Sequence, residues 1–138
     1  MVDVGDKSET RRRAVASCRV EMAEATLSAI VGGDAPKGDV LAVAQVAGIQ
    51  AAKRTPELIP GCHQVRLSAV DITFETIDGS LEVHAEARGT DRTGFEMEAL
   101  TACAVAALTV YDMIKGIDDA VRITDVHLES KEGGRSGA

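Results

Sequence analysis

From Ala14 to Met22 the sequence AVASCRVEM alternates. Ala16, Cys18, Val20 and Met22 are apolar, and Ser17, Arg19 and Glu21 lie between them. A period of two predicts a strand with one wet face. The next segment, AEATLSAIV, turns helical in character and stops at Gly32-Gly33. GGDAPKGD reads as a loop from its Gly, Pro and Asp content. Asp39 can then cap a helix through VLAVAQVAGIQAAKR, with Lys53 and Arg54 at the negative end of its dipole and Pro56 just beyond. ELIPGCHQ reads as a second loop, VRLSAVDITFETI as a strand, and Asp78 to Ser80 as a hairpin turn. The return strand LEVHAEAR gives the cleanest alternation. Leu81, Val83, Ala85 and Ala87 share one face, and Glu82, His84, Glu86 and Arg88 the other. Gly94 to Lys115 predicts a long helix, with no charged side chain between Ala99 and Tyr111. RITDVHLES predicts a last strand before KEGGRSGA.

The predicted order is strand, helix, helix, strand, strand, helix, strand. Setting the second helix aside as an insertion leaves β-α-β-β-α-β, the pattern of a ferredoxin-like sandwich. The expected class is α+β: a mainly antiparallel four-stranded sheet with helices on one face and an extra inserted helix. The other face, bearing Arg19, Glu82 and Glu86, is expected to be wet or to meet another subunit. A chain of 138 residues predicts one domain, 1–138. Its Gly-rich tail, 132–138, is expected to be mobile.

Composition narrows the function classes. Aromatics are 2% of the chain, so the core must be built from Ala, Val, Leu, Ile and Met. Such a core is thin for a monomer of this size, and subunit packing would supplement it. A net charge of -7 argues against wrapping nucleic acid. Tyr111, Phe74 and Phe95 make no stacking platform for single strands either. Cys18, Cys62 and Cys103 are odd in number, far apart and in no CxxC spacing. That predicts neither a disulfide framework nor a structural zinc site, and points to a reducing compartment. MVDVGDKSETRRR lacks the apolar stretch of a signal peptide. With no apolar run read as long enough to span a bilayer, the expectation is a cytoplasmic protein without membrane partners.

The candidate chemistry sits at the two ends of the long helix. Glu96 and Glu98 open it; Asp112 and Lys115 close it. Glu98 and Asp112 would lie roughly 21 Å apart at about 1.5 Å rise per residue. One small-molecule site on one chain cannot readily use both ends, whereas a two-fold dimer can bring a partner's end into reach. Asp112 and Lys115, three apart, are neighbours on one face. They make either a surface ion pair or a proton-transfer pair in which the Asp orients the Lys. His84 and His127 read as ordinary sheet residues, Cys103 as a small buried hydrophobe, and Arg11-Arg12-Arg13 as a solvated run. Cys62-His63 has no second ligand cluster in the sequence, so metal coordination is not expected there.

Several segments occur in one order: MVDV, KGDV (Lys37 to Val40), AGIQAAKRT (Ala47 to Thr55), LIPGCH (Leu58 to His63), EMEALTA (Glu96 to Ala102), YDM with Lys115, and GGRSG (Gly133 to Gly137). Together they resemble the molybdenum cofactor biosynthesis protein C (MoaC) family, the cyclic pyranopterin monophosphate synthases, over nearly the whole chain. The resemblance implies a ferredoxin-like fold in a homohexamer, a trimer of dimers with active sites at subunit interfaces. It also implies a reaction: 3′,8-cyclo-7,8-dihydro-GTP rearranged to cyclic pyranopterin monophosphate with loss of pyrophosphate. Carried onto this sequence, the resemblance makes Asp112, Lys115, His63 and Lys37 catalytic. It makes Gly61, Cys62, His63, Glu96, Met97, Glu98, Lys131 and Arg135 substrate-binding. No cofactor or metal is implied, and Mg²⁺ would enter only with the triphosphate or pyrophosphate. Gly61 and Gln64 depart from the family's usual Leu and Pro, and Arg135 from its usual Lys. A non-catalytic nucleotide or pterin sensor of the same fold is the alternative reading.

Overall fold

The apolar positions of the two alternating strands turn inward, Val15 excepted. In β1 (Thr10–Glu21) Ala14, Ala16, Cys18 and Val20 are buried, and in β3 (Ser80–Asp91) Leu81, Val83, Ala85 and Ala87. The strands pair antiparallel, with Ala14 opposite Ala87, Ala16 opposite Ala85 and Cys18 opposite Val83. Small residues thus face each other along the middle of the sheet, and a helix can lie close over them.

These observations come from a computed structural model, which describes residues 1–134. After β1 come α1 (Glu24–Gly32), α2 (Val40–Lys53), the short α3 (Thr55–Leu58) and β2 (Leu67–Ile77). Beyond β3 lie α4 (Glu96–Ile114) and β4 (Arg122–Glu132). The sheet order is β2-β3-β1-β4 with every neighbour antiparallel. This is the ferredoxin-like sandwich that the element order predicts. The β2–β3 hairpin closes through Asp78 (φ 51) and Gly79 (φ 75), the two left-handed residues of a type I′ turn.

The helix layer corrects one detail of the sequence reading. α2 runs alongside α4 and reaches β2, while α4 covers β1, β3 and β4. The inserted helix is therefore α1, and α2 belongs to the sandwich. The loop read from ELIPGCHQ is also shortened, because α3 takes in its Glu57 and Leu58. Thr55 donates its hydroxyl to the carbonyls of Ala51 (3.1 Å) and Ala52 (3.0 Å), and Pro56 falls in the first turn of α3. Proline is tolerated there because the first-turn N–H groups have no helical partner.

α4 is 19 residues long and, by length and composition alone, apolar enough to cross a membrane. Its Ala99, Ala102, Cys103, Ala106, Ala107, Val110 and Ile114 are instead fully buried against the sheet and α2. It is the core helix of the sandwich.

The outer face of the sheet is charged and internally paired. Arg13 bridges Glu86 and Glu132, Arg19 meets Glu82 at 3.4 Å, and Arg88 meets Asp71 at 2.7 Å. His84, read from sequence as an ordinary sheet residue, lies 3.0 Å from Glu82 and 3.6 Å from Glu129. Nor is the arginine run simply solvated. Arg13 is ion-paired, and Arg12 donates to the carbonyls of Asp91 (3.2 Å) and Arg92 (3.3 Å). At the far end, β4 continues through Lys131 and Glu132, two residues beyond the predicted strand.

Candidate active site

At the C-terminal end of α4, three charged side chains converge. Lys115 follows the last turn, its N–H bonded to the Tyr111 carbonyl at 2.9 Å, and its Nζ lies 2.9 Å from Asp112 Oδ1. Lys37 arrives from the loop between α1 and α2. Gly33 (φ 76) ends α1, Gly38 (φ 111) turns the chain, and Asp39 caps α2 by accepting from the Ala42 N–H at 3.1 Å. These constraints place Lys37 Nζ 3.6 Å from Asp112 Oδ2 and 3.1 Å from the Asp112 carbonyl. The hydrogen bond and charge of Lys115, then the charge of Lys37, hold the Asp112 carboxyl below the usual carboxylate range. All three side chains are at least half exposed in the single chain. The pair expected from spacing is thus present as a triad, open to solvent.

At the N-terminal end of α4 the geometry is the reverse. Glu98 is 1% exposed, and Cys62 donates its thiol to Glu98 Oε2 at 3.6 Å. Burial raises the Glu98 pKa. Burial, and then the charge of Glu98, push the Cys62 thiol up to about 11. Glu96 and Met97 are more accessible, so the two glutamates occupy different faces, as a helix beginning at Glu96 requires. His63 is half-buried beside Cys62, in the irregular segment leading to β2. At Gly61 an added Cβ would meet open space. Lys131 is exposed on β4, opposite Ala14 near the start of β1. Arg135 lies outside the described residues.

One chain therefore brings Lys37, Asp112 and Lys115 together, and separately Cys62 and Glu98, with His63 next to Cys62 in sequence. It does not join the two groups, which the length of α4 holds apart. The burial of Glu98 is the feature that sequence reading missed. Its signal was available: Glu98, Ala102, Ala106 and Val110 recur every four residues along the buried row. Among the described residues, the group whose ligand atoms lie within 4.8 Å of one another is Glu82, His84 and Glu129. It sits on the outer sheet face, apart from both ends of α4.

Fold and site define a ferredoxin-like α+β protein that carries a lysine–carboxylate triad at one end of its core helix and a buried thiol–carboxylate pair at the other. The MoaC family matches residues 1–134, and the chain belongs to that family. It is 57% identical to a cyclic pyranopterin monophosphate synthase of Oleidesulfovibrio alaskensis, over 99% of this chain and 87% of that protein. It is 55% identical to one of Chloroflexus aggregans (99% and 84% covered) and to one of Listeria monocytogenes (99% and 86%).

Proposed function

We infer that this chain is a lyase of molybdenum cofactor biosynthesis, a cyclic pyranopterin monophosphate synthase. It converts 3′,8-cyclo-7,8-dihydro-GTP to cyclic pyranopterin monophosphate and releases pyrophosphate. The observation that supports this best is the Lys37–Asp112–Lys115 triad, in a chain more than half identical to synthases along nearly its whole length.

The chemistry asks for groups that move protons and groups that hold phosphate. Opening the imidazole-derived part of the cyclised purine and rebuilding a pterin ring shift several protons, a task for Lys115 and His63. Asp112, kept anionic by its two lysines, orients Lys115. Lys37 also reaches the triad, and Lys131 and Arg135 serve the phosphates. Gly61, Cys62, Glu96, Met97 and Glu98 form the substrate-binding side, with the Glu98 carboxylate reached past Cys62. Both ends of α4 work in one site when two chains meet. The functional unit is accordingly a homo-oligomer with interface sites, a trimer of dimers, working in the cytoplasm without a resident cofactor.

The test is anaerobic incubation of the pure protein with the cyclised dihydro-GTP. Pyrophosphate and the fluorescent oxidation product of the pyranopterin are both followed. Wild type makes both. Lys115→Ala binds substrate and loses turnover by about 10²–10⁴-fold, the usual scale for a lost general acid or base. Binding by wild type without either product would sink the synthase reading in favour of a sensor.

A further inference from the structure

α1 stands outside the helix layer of the sandwich, yet the loop that follows it carries Lys37. Its buried side chains are Thr26 and Ile30, and its N-cap residue, Ala23, has no side chain that can cap the first turn. The cap comes from a distant part of the chain. Asp118 Oδ2 accepts from the Ala23 N–H at 2.9 Å and from the Thr26 hydroxyl at 2.8 Å. Asp118 Oδ1 accepts from the Ala120 N–H at 2.9 Å. These donors hold the Asp118 carboxyl below the usual carboxylate range, and a negative charge suits the positive end of α1.

Asp118 is rooted beside the triad. α4 ends at Ile114, Lys115 follows, and the Asp118 N–H donates to the Ile114 carbonyl at 3.1 Å. The start of α1 is therefore tied to the chain just beyond Lys115. Its far end returns to the same place. Gly33 and Gly38 turn the loop, and Lys37 meets Asp112 through both its carboxylate and its carbonyl. Residues 23–37 thus form a bracket with both feet on the C-terminal end of α4. The two feet differ in strength. Lys37 and Asp112 are at least half exposed, and an ion pair of that kind holds little by itself. The other foot is a carboxylate taking three hydrogen bonds, with Thr26 buried against it. β1 ends at Glu21, so the contacts of Ala23 and Thr26 with Asp118 fix the direction in which α1 leaves the sheet.

We propose that Asp118 is a positioning residue of the active site: by fixing α1 to the end of α4, it holds Lys37 against Asp112. It acts through the helix and its loop and not on the reacting atoms. The inference rests on the synthase reading for its kinetic readout, but the titration of Asp112 is measured without turnover. Lys115 and Lys37 are the charged groups that the structure brings to that carboxylate, so loss of either one leaves a mark on it.

Asp118→Ala, Lys37→Ala and the double variant are compared in the full chain. Turnover of the cyclised nucleotide is measured, and the Asp112 carboxyl is followed by carbon NMR through a pH titration. Asp118→Ala lowers kcat by up to about a hundredfold, the scale of a catalytic group displaced by about 1 Å. It also moves the Asp112 pKa up toward the ordinary carboxylate value, since the charge of Lys37 no longer helps to hold it down. In the Lys37→Ala chain the same substitution changes neither quantity, because the lysine it positions is gone. Asp118→Asn, which keeps an oxygen for Ala23 and Thr26, retains most of the wild-type kcat. A cap of purely structural value costs the same factor with and without Lys37 and leaves the Asp112 titration unmoved, and either result overturns the proposal. If Asp118→Ala does not fold, Thr26→Val removes one hydrogen bond at nearly constant shape, and its effect on the Asp112 titration decides. Wild type without turnover would sink the synthase reading, while an Asp112 titration that responds to Asp118 only when Lys37 is present would still support the bracket.

Discussion

Glu98 is the residue whose environment most constrains its behaviour. Burial raises its pKa above the unfolded value, so the folded chain keeps that proton to higher pH than the unfolded chain does. Stability from this group is complete below the unfolded carboxylate pKa and is lost as pH rises through the folded value. Glu98→Gln removes that slope. Urea unfolding at about pH 4 and about pH 8 should show the variant gaining on wild type only at the higher pH. The same substitution takes away the carboxylate charge that helps hold Cys62 at about 11. Iodoacetamide should therefore label Cys62 slowly in wild type and faster in the variant at neutral pH. The sequence points to Glu98 only through the resemblance of its EMEALTA segment, and a charged side chain in a helix's first turn reads as solvated. Only its place on the four-residue row of alanines reveals that it is buried. Arg12 was illegible for another reason: its partners are backbone carbonyls some eighty positions away, and carbonyls leave no mark in a sequence.

Among the elements, the α2–α4 contact is the most exacting. Gly48 sits where an added Cβ would lie 2.6 Å from Ile72 Cδ1 and 3.0 Å from the Ala102 carbonyl. Gly48→Ala forces α2 away from α4 and β2, and is expected to cost about 1–3 kcal/mol by overpacking. Asp39→Ala, which removes the α2 cap, is expected to cost about 1 kcal/mol. Chemical denaturation checks both, and the larger effect should be at Gly48. The strands were legible because a period of two survives burial of one face, and β1 and β3 keep it almost without exception. The role of each helix was less so. Nothing in α1 or α2 as isolated patterns says which packs on the sheet; that choice is made by Gly48 and the small residues of α4 that let two helices approach.

At the scale of the whole molecule, the separation of the two polar clusters gives the strongest prediction. If Lys115 of one chain works with His63 of another, two inactive variants should rescue each other. Lys115→Ala and His63→Ala subunits, unfolded and refolded together in equal amounts, are expected to recover about a quarter of wild-type turnover, since a random pairing leaves about one site in four with both groups intact. Each variant refolded alone should stay inactive. No recovery in mixed assemblies would mean that each site lies within one chain. A partner was expected from the sequence as a distance along a helix, but no surface for it could be read there, because exposed apolar side chains such as Val43, Val46, Leu108 and Tyr111 are scattered between α2 and α4 and form no run in the sequence.

The length of α4 has a further meaning in such an assembly. The helix acts as a ruler whose two marks are read by different neighbours, so its tolerance for insertion differs from that of every other segment. One added residue would rotate Asp112 and Lys115 by about 100° relative to Glu98, and a whole added turn would restore their facing but displace them by about 5.4 Å. Either change would put each site of a closed ring out of register at once. The β2–β3 hairpin bears no such double duty, and variation in chain length should collect there.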